Sequence, residues 1–419
     1  MGEIVNVQVG QCGNRIGSKF WEVISGEHGI DPTGYHYGNS DLQLERINVY
    51  YQETMGKHFY PRAVIVDLEP STMDSVHSGP YGGIFKPGNC IFGTKGSSHN
   101  WAKGHYTLGA EIVDDVLDVI RKEVESCDSF HGFHFFHSLG GGTGSGMGTL
   151  LMRKLHDEHS HRMMTSFSVL PSPKLTKMAV EPYNAILAMN KLLEYSTETF
   201  CIDNESLFKI ATQNSQSPSN SNLNNLIGSA MSGITASTRF PGILNTDLRK
   251  LAVNLIPFPR LQFLMTGIVP FPSHALTVPE LTEQIFNPNN ILADCNIHQG
   301  KYMAASAIFR GRMSLKEVND QMIDMQNKNS DNFVDWIPNN VMTTTQNNPP
   351  PGVELTATSI GNNTAIQEAF QRLSTKFDRL YKNRGFTNLY TEEGMDTYEF
   401  AEAEKNTKDL ISEYQQCQS

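Results

Sequence analysis

Polar and apolar positions alternate along residues 3–9 (Glu3-Ile4-Val5-Asn6-Val7-Gln8-Val9), a period of two that predicts a β-strand. Short β-rich runs recur at 63–67, 132–138, 165–170 and 200–203. The stretches between them carry three- and four-residue spacing instead. The clearest spans 101–127, where Leu108, Ile112, Val116, Val119 and Ile120 fall on one face of a helix. Strands that alternate with helices predict βαβ units and a mostly parallel sheet, an α/β architecture of the doubly wound, Rossmann-like kind.

The pattern changes past residue 205. A polar run at 212–225 predicts a loop and a seam between domains, and a long helix is expected over 223–240. Strand-like runs at 263–269, 302–309, 332–336 and 353–360, interleaved with helical patterns at 278–286 and 315–326, predict a mixed α+β unit. Residues 347–352 (Asn-Asn-Pro-Pro-Pro-Gly) read as a stiff turn. Helices over 364–382 and 395–416 close the chain as a helical pair, the last packing through Phe400, Ala403, Leu410, Ile411 and Tyr414.

At 419 residues two or three domains are expected. Apolar residues at 39% and charged residues at 18% exclude a collagen-like, coiled-coil or fully disordered chain. No run of 18 apolar residues occurs, and the most apolar region, 251–271, is broken by Asn254, three prolines and Arg260. That excludes a membrane helix, and a strand in place of a signal peptide leads us to expect a soluble, cytosolic protein. Six cysteines without a CxxC pair signal neither a zinc ribbon nor a disulfide framework. A net charge of -11 argues against nucleic acid as a partner. The charge is uneven: residues 385–419 hold eight acids against Lys405 and Lys408.

The densest chemical signal is Ser138-Leu139-Gly140-Gly141-Gly142-Thr143-Gly144-Ser145-Gly146, which ends one predicted strand and opens the helix predicted over 147–156. Glycines let backbone amides approach a phosphate without Cβ obstruction. A helix N-terminus adds unpaired N–H groups and a positive dipole end. Thr143 and Ser145 are expected to donate hydroxyl hydrogen bonds to phosphate oxygens. Gln11-Cys12-Gly13-Asn14 follows the first strand, and Asp67-Leu68-Glu69-Pro70 the second, offering carboxylates suited to Mg²⁺ or its water shell. All lie at the carboxyl ends of strands, where an open α/β sheet places its ligand. Two weaker signals are read as structural: His156, His159 and His161 as a solvated helix end, and His131, His134 and His137 as packed strand residues.

The glycine loop, together with Gln11–Asn14 and the runs at 101–106, 180–184, 239–242 and 336–340, resembles the tubulin family over essentially the whole chain. The details resemble the β type, because Lys250 stands where α-tubulin has a catalytic glutamate. The resemblance implies a guanine-nucleotide-binding domain at 1–205, an intermediate domain at 206–363 with a central helix near 223–241, and a C-terminal helical domain at 364–419. It implies GTP or GDP with Mg²⁺ as ligands and α-tubulin as partner in a heterodimer. Microtubule-associated proteins would meet the helical surface, with neither nucleic acid nor membrane involved. Localisation would be cytoplasmic, in the cytoskeleton of a microtubule or axoneme. Carried over position by position, Gln11, Cys12, Ser138, Gly140, Gly141, Gly142, Thr143 and Gly144 would hold the phosphates. Glu69 would sit at the metal, Glu181 at the ribose, and Asn204 and Asn224 at the guanine edge. No catalytic residue is expected, since the family's acid comes from the neighbouring α subunit.

Several positions depart from the family. Asn220 replaces an aromatic that stacks on the base, a loss of about 1–3 kcal/mol. Lys177 replaces a ribose-contacting aspartate, and His99 an asparagine near the terminal phosphate. The loop around 271–274 is shorter than the family's lateral-contact loop, and the protein is expected to lack the family's glutamate-rich tail. The alternative reading is therefore a nucleotide-poor structural or regulatory relative that caps filaments or sequesters α-tubulin.

Overall fold

A computed structural model describes residues 2–54, 56–172, 178–214, 219–242, 248–269, 276–337 and 340–418. In the first half of the chain β1 (Glu3–Val9) leads into α1 (Gly10–His28), and a small hairpin, β2 (Tyr51–Thr54) and β3 (His58–Pro61), precedes β4 (Ala63–Asp67). Then come α2 (Ser71–His77), β5 (Cys90–Phe92), α3 (Leu108–Glu125), β6 (Phe130–Ser138), α4 (Gly148–Glu158), β7 (Met163–Leu170), α5 (Glu181–Tyr195), β8 (Glu198–Asp203) and α6 (Asn204–Asn214). The second half runs α7 (Asn220–Arg239), α8 (Leu248–Leu255), β9 (Phe263–Ile268), α9 (Val278–Ile285), β10 (Tyr302–Arg310), α10 (Leu315–Lys328), β11 (Val341–Gln346) and β12 (Thr356–Asn363). It ends with α11 (Gln367–Lys382), the short α12 (Thr387–Thr391) and α13 (Thr397–Gln416).

Ten strands form one sheet in the order β11-β10-β12-β9-β8-β7-β6-β1-β4-β5. From β5 to β9 every pairing is parallel, whereas β12 runs antiparallel to both β9 and β10. This is the expected α/β fold with a mixed second half. Every residue of β1, β4, β7 and β8 is buried, as a parallel sheet covered on both faces requires. On one face Val5, Val7 and Val9 pack with Val116, Ile120, Leu151, Leu192 and the C-terminal Phe370 and Phe400. On the other, Ile4 packs with Phe20, Trp21 and Ile24 of α1 and Met231 and Ile234 of α7. The polar positions of β1, Glu3, Asn6 and Gln8, are therefore buried too.

The structure corrects several expectations. Residues 212–225 are not one loop: α6 continues to Asn214 and α7 begins at Asn220. The run at 332–336 makes a single bridge, Tyr302 to Phe333, after a short helical turn at Ser330–Asn332, and is no strand. The helix expected from 101 opens with a wide turn at Lys103–Thr107 before α3. The C-terminal pair has α12 inserted between its members. No helix among the described residues is long and apolar enough to cross a membrane.

A buried ionic cluster joins the two halves of the sequence. Glu27 of α1 accepts from Arg239 of α7 at 2.6 Å and from Arg310 of β10 at 2.9 Å, with Ser232 Oγ donating at 2.6 Å. All three charged side chains are at most 2% exposed.

Four histidines are buried as neutral imidazoles. Burial pushes His28 and His134 down to about 3, and His105 and His137 down to about 4. Their contribution to stability is present above the unfolded pKa of about 6.5 and lost as pH falls toward the folded values. Burial acts oppositely on Glu198, pushed up to about 7, and Asp203, up to about 6. These acids take up protons in the folded state and so stabilise as pH falls. Between about pH 7 and 5.5 the imidazoles lose about 1 kcal/mol each, and the acids return about 2 kcal/mol together. Urea melts should therefore show a net loss of about 2–3 kcal/mol at the lower pH. A midpoint that rises on acidification would reverse the assignment.

Candidate functional site

The carboxyl ends of β1, β4, β6, β7 and β8 open onto one cavity of about 560 Å³. Its walls come from Gly10, Gln11 and Cys12 where β1 becomes α1, from Asp67 and Glu69 after β4, and from Ser138 and Gly140–Gly144 after β6. Gly96, Ser97, Ser98 and His99 close one side, and Glu181 and Asn204, each the first residue of its helix, close another.

Backbone contact explains the glycines here. Gly10 has φ +76°, and a Cβ on it would lie 3.0 Å from the Gly144 amide. A Cβ on Gly142 would lie 2.5 Å from both the Asn100 amide and Ser97 Oγ. The glycine loop is thus pressed between the β1–α1 junction and the 96–100 loop. Among the described residues the amides of Gly140 and Gly141 donate to no other group of the chain, which leaves them available to a ligand. The helix beyond begins with a wide turn at Thr143–Met147.

Two buried imidazoles hold this loop from behind. His137 Nδ1 lies 2.8 Å from Gly144 O, and His105 Nδ1 lies 3.0 Å from Gly146 O. A carbonyl only accepts, so each Nδ1 carries the proton, and the rings are neutral at pH 7. Nε2 of His137 then accepts from Ser166 or Ser168, at 2.9 and 2.8 Å. Thr143 lines the cavity with its hydroxyl 3.1 Å from Ser97 Oγ. Ser145 does not do what the sequence suggests: it is fully buried and its hydroxyl donates back to Gly141 O. Burial pushes the Cys12 thiol up to about 11 despite the nearby Arg15, so it stays protonated and packs.

Asp67 and Glu69 supply the acidic corner. Asp67 Oδ1 accepts from the Leu68 amide at 2.7 Å, while Oδ2 is buried without a hydrogen-bond partner. Burial pushes this carboxyl above the usual range. Asp67 and Glu69 both line the cavity, and carboxylates at that place suit a divalent cation or its water shell. Among the described residues no group of three or more His, Cys, Asp or Glu side chains could hold a metal. Two carboxylates can hold a hydrated divalent cation that shares its shell with a ligand, without an all-protein cage.

Of the twelve residues that the resemblance assigns to nucleotide and metal, all but Asn224 line this cavity, and Ser145 does not. Asn224 lines a separate cavity of about 350 Å³, with Arg15, Lys19 and Tyr81, so the asparagine pair does not share one wall. Lys177 and the 270–275 loop lie outside the described residues, as does the side chain of Asn220. His99 is exposed at the cavity rim. Sequence reasoning missed His105 and His137 as supports of the loop, and Asn184, whose side-chain amide donates to both His99 O and Gly140 O. The run at 180–184 was a signal for Asn184, but its partners are set only by the fold.

Ser98 and His99 both adopt left-handed backbone, at φ 52° and 57°. Neither is glycine, so the rim carries strain of about 1–2 kcal/mol per residue. Ser98→Gly should therefore raise stability by about 0.5–1 kcal/mol after the added freedom of the unfolded chain is subtracted. Chemical denaturation checks this, and an unchanged or lower midpoint would show that the turn is not strained.

Comparison with known families gives two matches. The model of the Tubulin/FtsZ family, GTPase domain, matches residues 3–212. The model of the tubulin C-terminal domain matches residues 259–375.

Proposed function

The chain belongs to the tubulin family, and from that premise we propose that it is a β-type subunit that pairs with α-tubulin. As a family member it is a tubulin-like, GTP-binding cytoskeletal protein. The observation that supports the nucleotide part of this reading is the cavity at the strand ends. Its unpaired glycine amides, Thr143 and the Asp67–Glu69 corner match the phosphates and hydrated cation of a guanine nucleotide. In this reading Gln11, Cys12, Ser138 and the 140–144 loop seat the phosphates, Glu181 the ribose and Asn204 the base. Mg²⁺, when bound, would neutralise phosphate charge beside Glu69 and Asp67. The division into units at 1–205, 206–363 and 364–419 belongs to the same proposal.

Pairing is supported by exposed apolar side chains in the second half of the chain. Lys250 and Val253 sit three residues apart on α8, hence on one face, and both are exposed, Val253 to 72%. Phe258 and Trp336 are also open to solvent, their rings 5.6 Å apart. Apolar groups of this size at a surface suit a protein partner. With a lysine at position 250, this chain would not supply the acid that hydrolyses its neighbour's nucleotide; its own would be activated by the α subunit.

The test is to purify the chain with α-tubulin, denature the complex and quantify guanine nucleotide. Two nucleotides per heterodimer are expected. One, assigned to the α subunit by crosslinking, would favour the capping or sequestering alternative that Asn220, Lys177 and His99 motivate. Failure to co-purify would remove the pairing itself.

A further inference from the structure

Asn184 is a fully buried amide whose hydrogen-bonding positions are all in use. Its Nδ2 donates to His99 O at 2.7 Å and Gly140 O at 2.8 Å. Its Oδ1 accepts from the Trp101 amide at 3.0 Å and from the Tyr390 hydroxyl at 2.7 Å. Two carbonyls that only accept and one amide that only donates fix which way the side chain points. His99 and Gly140 stand on different walls of the cavity, so one side chain ties those walls together. The fourth bond leaves the cavity for α12.

The same neighbourhood carries further ties. Asn100 Nδ2 donates to Leu389 O at 2.8 Å, Thr107 Oγ1 to Glu393 at 2.7 Å and the Tyr106 hydroxyl to Glu399 at 2.7 Å. The turn entering α12 is strained, with Arg384 at φ 50° and Phe386 at φ 60°. Gly385 between them accepts from the Tyr183 hydroxyl at 2.9 Å. Consecutive residues of α5, Tyr183 and Asn184, therefore hold the strained turn and the helix that follows it. Phe386 and Leu389 remain exposed on the outer side, at 47% and 42%.

We infer that Asn184 is a positioning residue that sets the glycine loop against the 96–101 loop and couples both to α12 through Tyr390. Seating an anion in the cavity then orders residues 384–395, and contact on α12 changes affinity in the cavity by the same factor. The inference rests on the nucleotide reading for the identity of the anion, not for the geometry.

Tyr390→Phe in the full chain tests it, because the ring keeps its packing and only the hydroxyl is lost. Hydrogen exchange without ligand should quicken about three- to tenfold at residues 96–101 and 384–395, while β6 amides keep the parent's rate. Thr107→Val cuts a neighbouring tie that bypasses Asn184 and should leave residues 139–144 unchanged. With GDP added, exchange at 384–395 should slow in the parent and not in Tyr390→Phe. Parent rates at 96–101 and 384–395 in the ligand-free variant would overturn the inference, as would a uniform rise that includes β6. If the parent binds GDP yet shows no slowing at 384–395, the coupling fails while the nucleotide reading stands. A parent that binds no GDP counts against the nucleotide reading, and the ligand-free comparison then decides this inference alone.

Discussion

Glu27→Gln should lower the stability of the folded chain by about 3–5 kcal/mol, because it leaves two buried guanidinium groups facing a neutral amide. Arg239 is fully buried and Arg310 nearly so, and both lie against the Phe240 ring, 5.0 and 5.7 Å from its centroid. Neither can turn to water without opening the junction of α1, α7 and β10. Both arginines hold the Glu27 carboxyl far below the usual carboxylate range, against a large opposing effect of burial. A depressed acid contributes stability that is present above its unfolded pKa and lost as pH falls through the folded one. The cluster should therefore persist through the mildly acidic range in which the histidines fail. Arg310→Met makes the internal comparison. It removes the odd charge and a guanidinium with an unpartnered Nη2, while the pair with Arg239 survives, so its cost should be smaller. Denaturant midpoints of the two variants measure the difference, and equal losses would mean that packing, not charge balance, decides stability here.

Much of this fold is legible in the sequence, for identifiable reasons. β1, β4, β6, β7 and β8 fall on short β-rich runs separated by stretches of helical spacing, the alternation that a parallel α/β sheet requires. The glycine loop stands out because few constraints other than close backbone approach demand so many glycines together. What escapes is short or nonlocal. β5 has three residues and α12 five, too few to show a period. The wide turns at Lys103–Thr107 and Thr143–Met147 break the 3.6-residue repeat without any marker residue. Phe333-Val334 looks like a strand in isolation, yet the chain around it pairs at one bridge only. Ser145 and Thr143 are equivalent hydroxyls in the sequence, and only the helical turn decides that one faces the cavity and the other faces Gly141. Asn184 is the sharpest case, since its four partners come from segments up to 206 residues away.

Gly142→Ala should weaken guanine-nucleotide binding by a hundredfold or more, and its contrast with Gly141→Ala is what makes the result informative. A Cβ on Gly141 meets only Ser138 Oγ, at 3.4 Å, an ordinary contact. A Cβ on Gly142 meets backbone: Asn100 N at 2.5 Å and Asn100 O at 2.7 Å, with Ser97 Oγ also at 2.5 Å. Backbone cannot rotate aside as a side-chain end can, so the glycine loop and the 96–100 loop must separate. Overpacking of this kind costs about 1–3 kcal/mol. Separation also misplaces amides that in the proposed reading meet phosphate, and each bond to a charged group is worth about 1.5–3 kcal/mol. Together these reach about 3–6 kcal/mol, roughly a hundredfold to a ten-thousandfold in the dissociation constant. Gly141→Ala keeps its amide in place and should fall within about tenfold of the parent, the span of one weakened contact. Equilibrium titration with a fluorescent guanine nucleotide separates the two, and melting curves confirm that both variants fold. If Gly142→Ala binds like the parent, the pressed loop is not the phosphate seat. The free amides of Gly140 and Gly141 would then need a different ligand to explain them.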